Sequence, residues 1–199
     1  MNLSEYNRIA IIGCPGSGKS TLARQIACLT GHPLIHLDYE NWQPGWIALP
    51  KEEFIAMQKE WVQAERWLID GNYRSTMEIR YAAADLVICF DLSRWLCLWR
   101  VLGRLAKPRP DLRPELKQSD APLKEHLQFF WFVLFGYHKK NRRTIAGLQK
   151  KYPQVKFVRL RSRKAVKELL CAQNPGCASV PQCCLDEWDN PDDEVWNDL

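Results

Sequence analysis

Gly13-Cys14-Pro15-Gly16-Ser17-Gly18-Lys19-Ser20-Thr21 is a complete G-x-x-x-x-G-K-[ST] stretch, and its reading decides the fold of this 199-residue chain. Such a loop holds phosphates: its glycines let backbone N–H groups close around them, Lys19 reaches their outer oxygens, and the Ser20 hydroxyl is a ligand for Mg²⁺. Gly13, Gly16, Ser17, Gly18, Lys19, Ser20 and Thr21 are therefore the expected nucleotide-binding residues, with ATP and Mg²⁺ as the expected cofactors. The setting agrees. Arg8-Ile9-Ala10-Ile11-Ile12 is a short β-branched run before the loop, and Thr21 to Leu29 has helical spacing after it.

Outward from this unit, apolar runs recur that end in carboxylates. Pro33 to Asp38, Trp67 to Asp70 and Asp85 to Asp91 read as strands, and Val155 to Leu160 as a fifth. Between them fall a loop over Tyr39 to Leu49, a helix over Lys51 to Arg66, and a helix from Ser93 to about Ala106. A further helix is expected from about Leu123 to Lys150, and a last one from Ser162 to Leu170. Strands alternating with helices predict a parallel sheet covered on both faces. The seven-residue apolar run Phe129 to Phe135 is too short to span a bilayer, so no membrane association is expected.

Charge is unevenly spread. All 28 Lys and Arg lie at or before Lys167, while seven of the 23 acidic residues lie beyond position 170. The basic body suits polyanionic substrates and fits nucleic acid as well. The stretch 171–199, rich in Pro, Asp and Glu, reads as an acidic, Cys-containing extension to a domain over 1–170. Eight cysteines without a preceding signal peptide, several of them in apolar segments, predict buried thiols in a reducing cytoplasm. Cys171, Cys177, Cys183 and Cys184 match no standard zinc spacing.

In open α/β sheets, ligands gather outside the carboxyl ends of the strands. Asp38 and Asp70 both fall there, and both are candidate catalytic residues. Asp70 is expected to orient the Mg²⁺ water shell opposite Ser20, with a helix or turn cap as the plainer role. Asp38 is expected to take a proton from a substrate hydroxyl or hold the magnesium shell, or else to be a turn residue. Asp91 is expected to cap the following helix.

Asp70-Gly71-Asn72-Tyr73-Arg74-Ser75-Thr76 resembles the D-G-x-P-R-[ST] element of adenylate kinase and related nucleoside monophosphate kinases, with Tyr73 in place of proline. The resemblance implies a phosphate contact from Arg74, whose planar fork suits phosphate oxygens. Arg100-Val101-Leu102-Gly103-Arg104 is similar to the run with which those kinases enter their lid, which implies Arg100 near the nucleotide base and a catalytic Arg104 on its phosphates. One basic helix face is the plainer explanation of that spacing. Of Arg109, Arg113, Arg142 and Arg143, some are expected to complete a cationic closure over the transferring phosphates and the others to be solvated surface charges.

Over its first 170 residues the chain resembles the adenylate-kinase-like proteins of the DNA topology modulation family. The strings that carry the likeness are Gly13 to Thr21, His36-Leu37-Asp38 with Trp42, Pro44, Gly45 and Trp46, Trp67 to Thr76, Asp91 to Leu96, Arg109-Pro110-Asp111 and Leu160 to Arg163. The implied fold is α/β: a P-loop NTPase three-layer sandwich with a parallel five-stranded sheet, nucleoside monophosphate kinase-like. The expected activity is Mg²⁺-dependent phosphoryl transfer from ATP to a small acceptor, a nucleotide among the candidates; Trp42 and Trp46 are expected either to stack on a substrate base or to pack beneath the loop. The competing expectation is a nucleotide-gated regulator associated with DNA, although no helix-turn-helix or zinc finger marks the chain.

Overall fold

The computed structural model describes residues 1–43, 47–105 and 137–173, apart from the side chains of 104, 105 and 138–140. Five strands form one parallel sheet: β1 (Arg8–Gly13), β2 (Leu34–His36), β5 (Trp67–Asp70), β6 (Leu86–Phe90) and β7 (Lys156–Leu160). Their spatial order is β2-β5-β1-β6-β7, which places the strand feeding the phosphate-binding loop at the centre. In register, Ile11 lies beside Asp70 and Gly13 beside Phe90, so the loop leaves the sheet between the ends of β5 and β6.

β1, β5 and β6 read as near-continuous apolar runs because both faces of the sheet are buried at its centre, whereas the edge strands β2 and β7 are partly exposed. Ile9, Ile11, Leu68, Leu86 and Ile88 point into one core with Leu22, Ala23 and Ile26 of α1 (Lys19–Thr30). Ala10, Ile12, Trp67, Ile69 and Val87 point into the other. That second core is closed by Phe54 of α3 (Lys51–Trp61), Met77 and Tyr81 of α4 (Met77–Ala83), and Ile145 and Leu148 of α6 (Tyr137–Lys151). On the first face, α5 (Arg94–Leu105) contributes Leu96 and Cys97, and α7 (Arg163–Cys171) contributes Val166, Leu169 and Leu170. Ser162 caps α7, its hydroxyl accepting from the Ala165 N–H at 3.2 Å. The chain has an α/β P-loop NTPase fold of the nucleoside monophosphate kinase-like kind, as this strand order and loop define.

The structure corrects several boundaries. The second strand stops at His36, and Asp38 lies in a short helix, α2 (Leu37–Asn41). The expected loop over 39–49 contains a short antiparallel strand pair, β3 (Trp42–Gln43) against β4 (Ile47–Ala48). Helix α3 ends at Trp61, short of Arg66. Helix α4 goes unforeseen, since two turns are too few for periodicity to register. Asp91 is held by two arginines: its carboxylate pairs with Arg142 at 3.0 Å and lies 3.8 Å from Arg159. Cys171, expected in the extension, is the last residue of α7, while Arg109, Arg113, Trp46, the aromatic run at 129–135 and residues 174–199 lie outside the described residues. Among the described residues no helix is long and apolar enough to cross a membrane.

Candidate active site

The phosphate-binding loop is built by backbone shape. Gly16 and Gly18 both sit in the left-handed region, at φ +82° and +88°, and Gly18 caps the start of α1. Ser17 N–H bonds the Cys14 carbonyl at 3.1 Å, closing the turn. Gly16 has a second constraint: a Cβ there would run into the Cys97 carbonyl oxygen of α5. The loop is thus wedged against α5, where Cys14 packs on Cys97. The Cys97 sulfur and burial together push the Cys14 thiol far above its ordinary range, so it is inert packing. Arg100, one turn further along α5, donates to the Ser17 carbonyl at 3.4 Å, which brings it to the loop itself. Arg104 lies on the same helix, with its side chain outside the described part.

Lys19 and Ser20 open α1. Asp70 faces them from the end of β5, only 4% exposed. Its Oδ2 lies 2.9 Å from His36 Nδ1, and Lys19 and Ser20 act on the same carboxylate. Burial pushes this carboxyl up, but His36, Lys19 and Ser20 together outweigh it and hold the group below its usual value. It is ionised near neutrality. Its Oδ1 is buried without a hydrogen-bond partner, and the Ser17 hydroxyl is likewise buried and unpartnered. Hard oxygen donors with an unspent acceptor fit Mg²⁺ with its water shell, so Ser20 and Asp70 are suited to hold it.

The turn after β5 links this half of the site to the other. Asn72 grips the Gly13 peptide from both sides: its Oδ1 accepts from Gly13 N–H at 3.0 Å and its amide donates to the Gly13 carbonyl. Gly71 has φ +148° and a Cβ there would lie 2.7 Å from Leu37 Cβ, so only glycine lets α2 approach. That approach sets Asp38 beside the turn. Tyr73 then adopts φ +29°, uncommon for a residue with a side chain. Burial raises its hydroxyl well above the ordinary range, and the Asp38 carboxylate that it donates to raises it further. Asn41 and Trp42 bond the same hydroxyl, and the Tyr73 ring meets Phe54 edge-on at 4.9 Å. Asp38 and Arg74 are both exposed, and Trp42 is half-buried.

The structure therefore gathers Gly13 to Thr21, Asp70 and Arg100 at the loop, and sets Asp38 and Trp42 together through Tyr73. Sequence reasoning missed Asn72, Tyr73 as a hub, and His36 as the group orienting Asp70. Only Tyr73 left a trace, as the departure from proline.

The strand order and the phosphate-binding loop give this chain an α/β P-loop kinase-like fold. No protein-family model matches it, and no curated protein matches it. Among solved structures it is similar to a gluconokinase from Sinorhizobium meliloti 1021, at 17% identity and a TM-score of 0.49, covering 85% of this chain and 90% of that one. It is similar also to a shikimate kinase from Bacteroides thetaiotaomicron, at 17% identity and a TM-score of 0.46, covering 84% and 96%. A sugar kinase from Janibacter sp. HTCC2649 matches at 16% identity and a TM-score of 0.45, covering 89% and 97%.

Proposed function

We propose that this chain is a Mg²⁺-dependent phosphotransferase that moves the γ-phosphoryl group of ATP to a small acceptor bearing a hydroxyl or phosphate. One observation carries the reading: an ionised, buried Asp70 with an unspent oxygen stands against Lys19 and Ser20, while the same turn reaches Asp38 on the acceptor side. Bound Mg²⁺ would supply charge neutralisation on the phosphates, held from Ser20 and Asp70.

The remaining roles belong to this chain's own residues. Lys19 and the loop N–H groups stabilise charge on the phosphate oxygens, and Arg100 braces the loop. Arg74 binds an anionic group of the acceptor. Asp38 takes the acceptor's proton as the new O–P bond forms and the bond to ADP breaks. Tyr73, by donating to Asp38, holds that carboxylate in place until the acceptor hydroxyl arrives. Trp42 offers an aromatic wall to the acceptor, and Arg104 is assigned to the phosphates. A nucleotide acceptor and membership of the adenylate-kinase-like DNA topology modulation family are the finer forms of this reading. The motif strings around Gly13, Asp70 and Arg100 support both.

The test follows the labelled γ-phosphate of ATP. Appearance of label on an organic acceptor supports the proposal; label released only to water, or none released, favours a nucleotide-gated regulator. The basic balance of the first 170 residues is what gives that alternative its footing.

A further inference from the structure

Arg80 is buried to 1% exposure inside the second core, between the apolar contacts of Met77 and Tyr81 on α4. Its hydrogen-bond partners are all neutral. It donates to the Asn72 carbonyl at 2.7 Å, the Gly71 carbonyl at 3.4 Å, the Thr76 hydroxyl at 3.1 Å and carbonyl at 3.4 Å, and the Gln58 Oε1. Burial lowers its pKa to about 9, which leaves it charged near neutrality; Asp70 acts on it through space in the opposite sense. Burying a cation without a paired anion is costly, and an apolar side chain would fill this space with no such penalty. What an apolar side chain lacks is a fork of donors.

That fork is aimed at the turn that builds the site. The backbone swings through Gly71 at φ +148° and Tyr73 at φ +29°, and the carbonyls of Gly71 and Asn72 meet the guanidinium. These carbonyls belong to the two residues after Asp70, and the second of them is the residue that clips Gly13. We propose that Arg80 is a positioning residue for the magnesium–nucleotide site, fixing the Asp70 carboxylate and the Asn72 clip from the buried side of the turn. The inference rests on the nucleotide-binding part of the reading above and deepens it. Arg80 touches neither nucleotide nor acceptor; it acts through the backbone, as an outer-shell partner acts on a metal ligand.

The experiment measures binding of a fluorescent ATP analogue with and without Mg²⁺, alongside thermal melting. It uses the full chain, Arg80→Lys, Arg80→Met, Arg80→Met/Gln58→Leu and Asp70→Asn. The quantity read is the ratio of affinities with and without Mg²⁺. In the Arg80 variants it should fall by about 10- to 100-fold, toward the ratio of Asp70→Asn. The double variant removes the orphaned Gln58 oxygen and so should melt above Arg80→Met, yet keep the low ratio. Arg80→Lys retains the charge without the fork and should also lose the ratio; it supplies the answer if the methionine variants fail to fold. A wild-type ratio in a folded Arg80 variant overturns the inference and leaves the function intact. Absence of any Mg²⁺-dependent gain in the wild type overturns both.

Discussion

Asn72→Ala removes both hydrogen bonds between the turn after β5 and the Gly13 peptide, with little change in packing. Each bond contributes about 0.5–1.5 kcal/mol net, so the pair is worth about 2 kcal/mol, and the buried Gly13 peptide regains water only in part. If the loss falls on the whole fold, the melting temperature drops by about 4–8 °C for a chain of this size. If it falls on the loop's arrangement alone, affinity for ATP drops by about 30-fold. Melting curves and ATP titrations on one preparation divide the two. Asn72→Asp makes the sharper control, because it keeps the accepting oxygen, loses the donor, and sets a carboxylate against the Gly13 carbonyl beside Asp70. It should be worse than alanine. The reasoning is refuted if Asn72→Ala matches the wild type in both assays, or if Asn72→Asp binds ATP as the wild type does.

Gly16→Ala adds a Cβ against the Cys97 carbonyl at φ +82°, so ATP affinity should fall by about tenfold or more by titration. Undiminished affinity would show that α5 yields. His32 is 4% exposed, with Nε2 donating to the Tyr6 carbonyl at 2.8 Å and Nδ1 2.6 Å from the Thr30 hydroxyl. Burial holds its pKa below the ordinary value, so the unfolded chain binds more protons than the native one below about pH 6.5. Urea unfolding should show stability declining as pH falls through that value toward the folded pKa, and His32→Gln should remove that part of the slope. Asp38→Asn should cut kcat by about 10²–10⁴-fold with ATP affinity held. Parallel loss of ATP binding would place Asp38 in the fold of the site instead of its chemistry.

The five strands of the sheet and the loop are local in sequence, which is why they were legible: β-branched runs, fixed glycines and a carboxylate at a strand end each need only their neighbours. The residues that tie the site together are not. Asn72 meets a peptide 59 positions away, and His36 reaches Asp70 across 34. Asp91 shows how proximity in sequence misleads: a cap for the next helix was the natural expectation, and Arg142 and Arg159 claimed it instead. Arg80 on α4 follows a charged Glu78 and a half-buried Ile79, a pattern that reads as a solvated helix face; its burial depends on Gln58 of α3 arriving to share it. Tyr73 was visible as an anomaly, and its meaning waited on where α2 brought Asp38 and Trp42.

Phosphoryl transfer itself is tested most directly by ADP formation from ATP·Mg²⁺ against a panel of nucleoside monophosphates, nucleosides and small hydroxylated or phosphorylated metabolites, with Lys19→Ala in parallel. The account predicts that one acceptor class raises ADP formation and that Lys19→Ala, still folded, abolishes the rise. ADP formation that no acceptor stimulates, or that survives in Lys19→Ala, would contradict it.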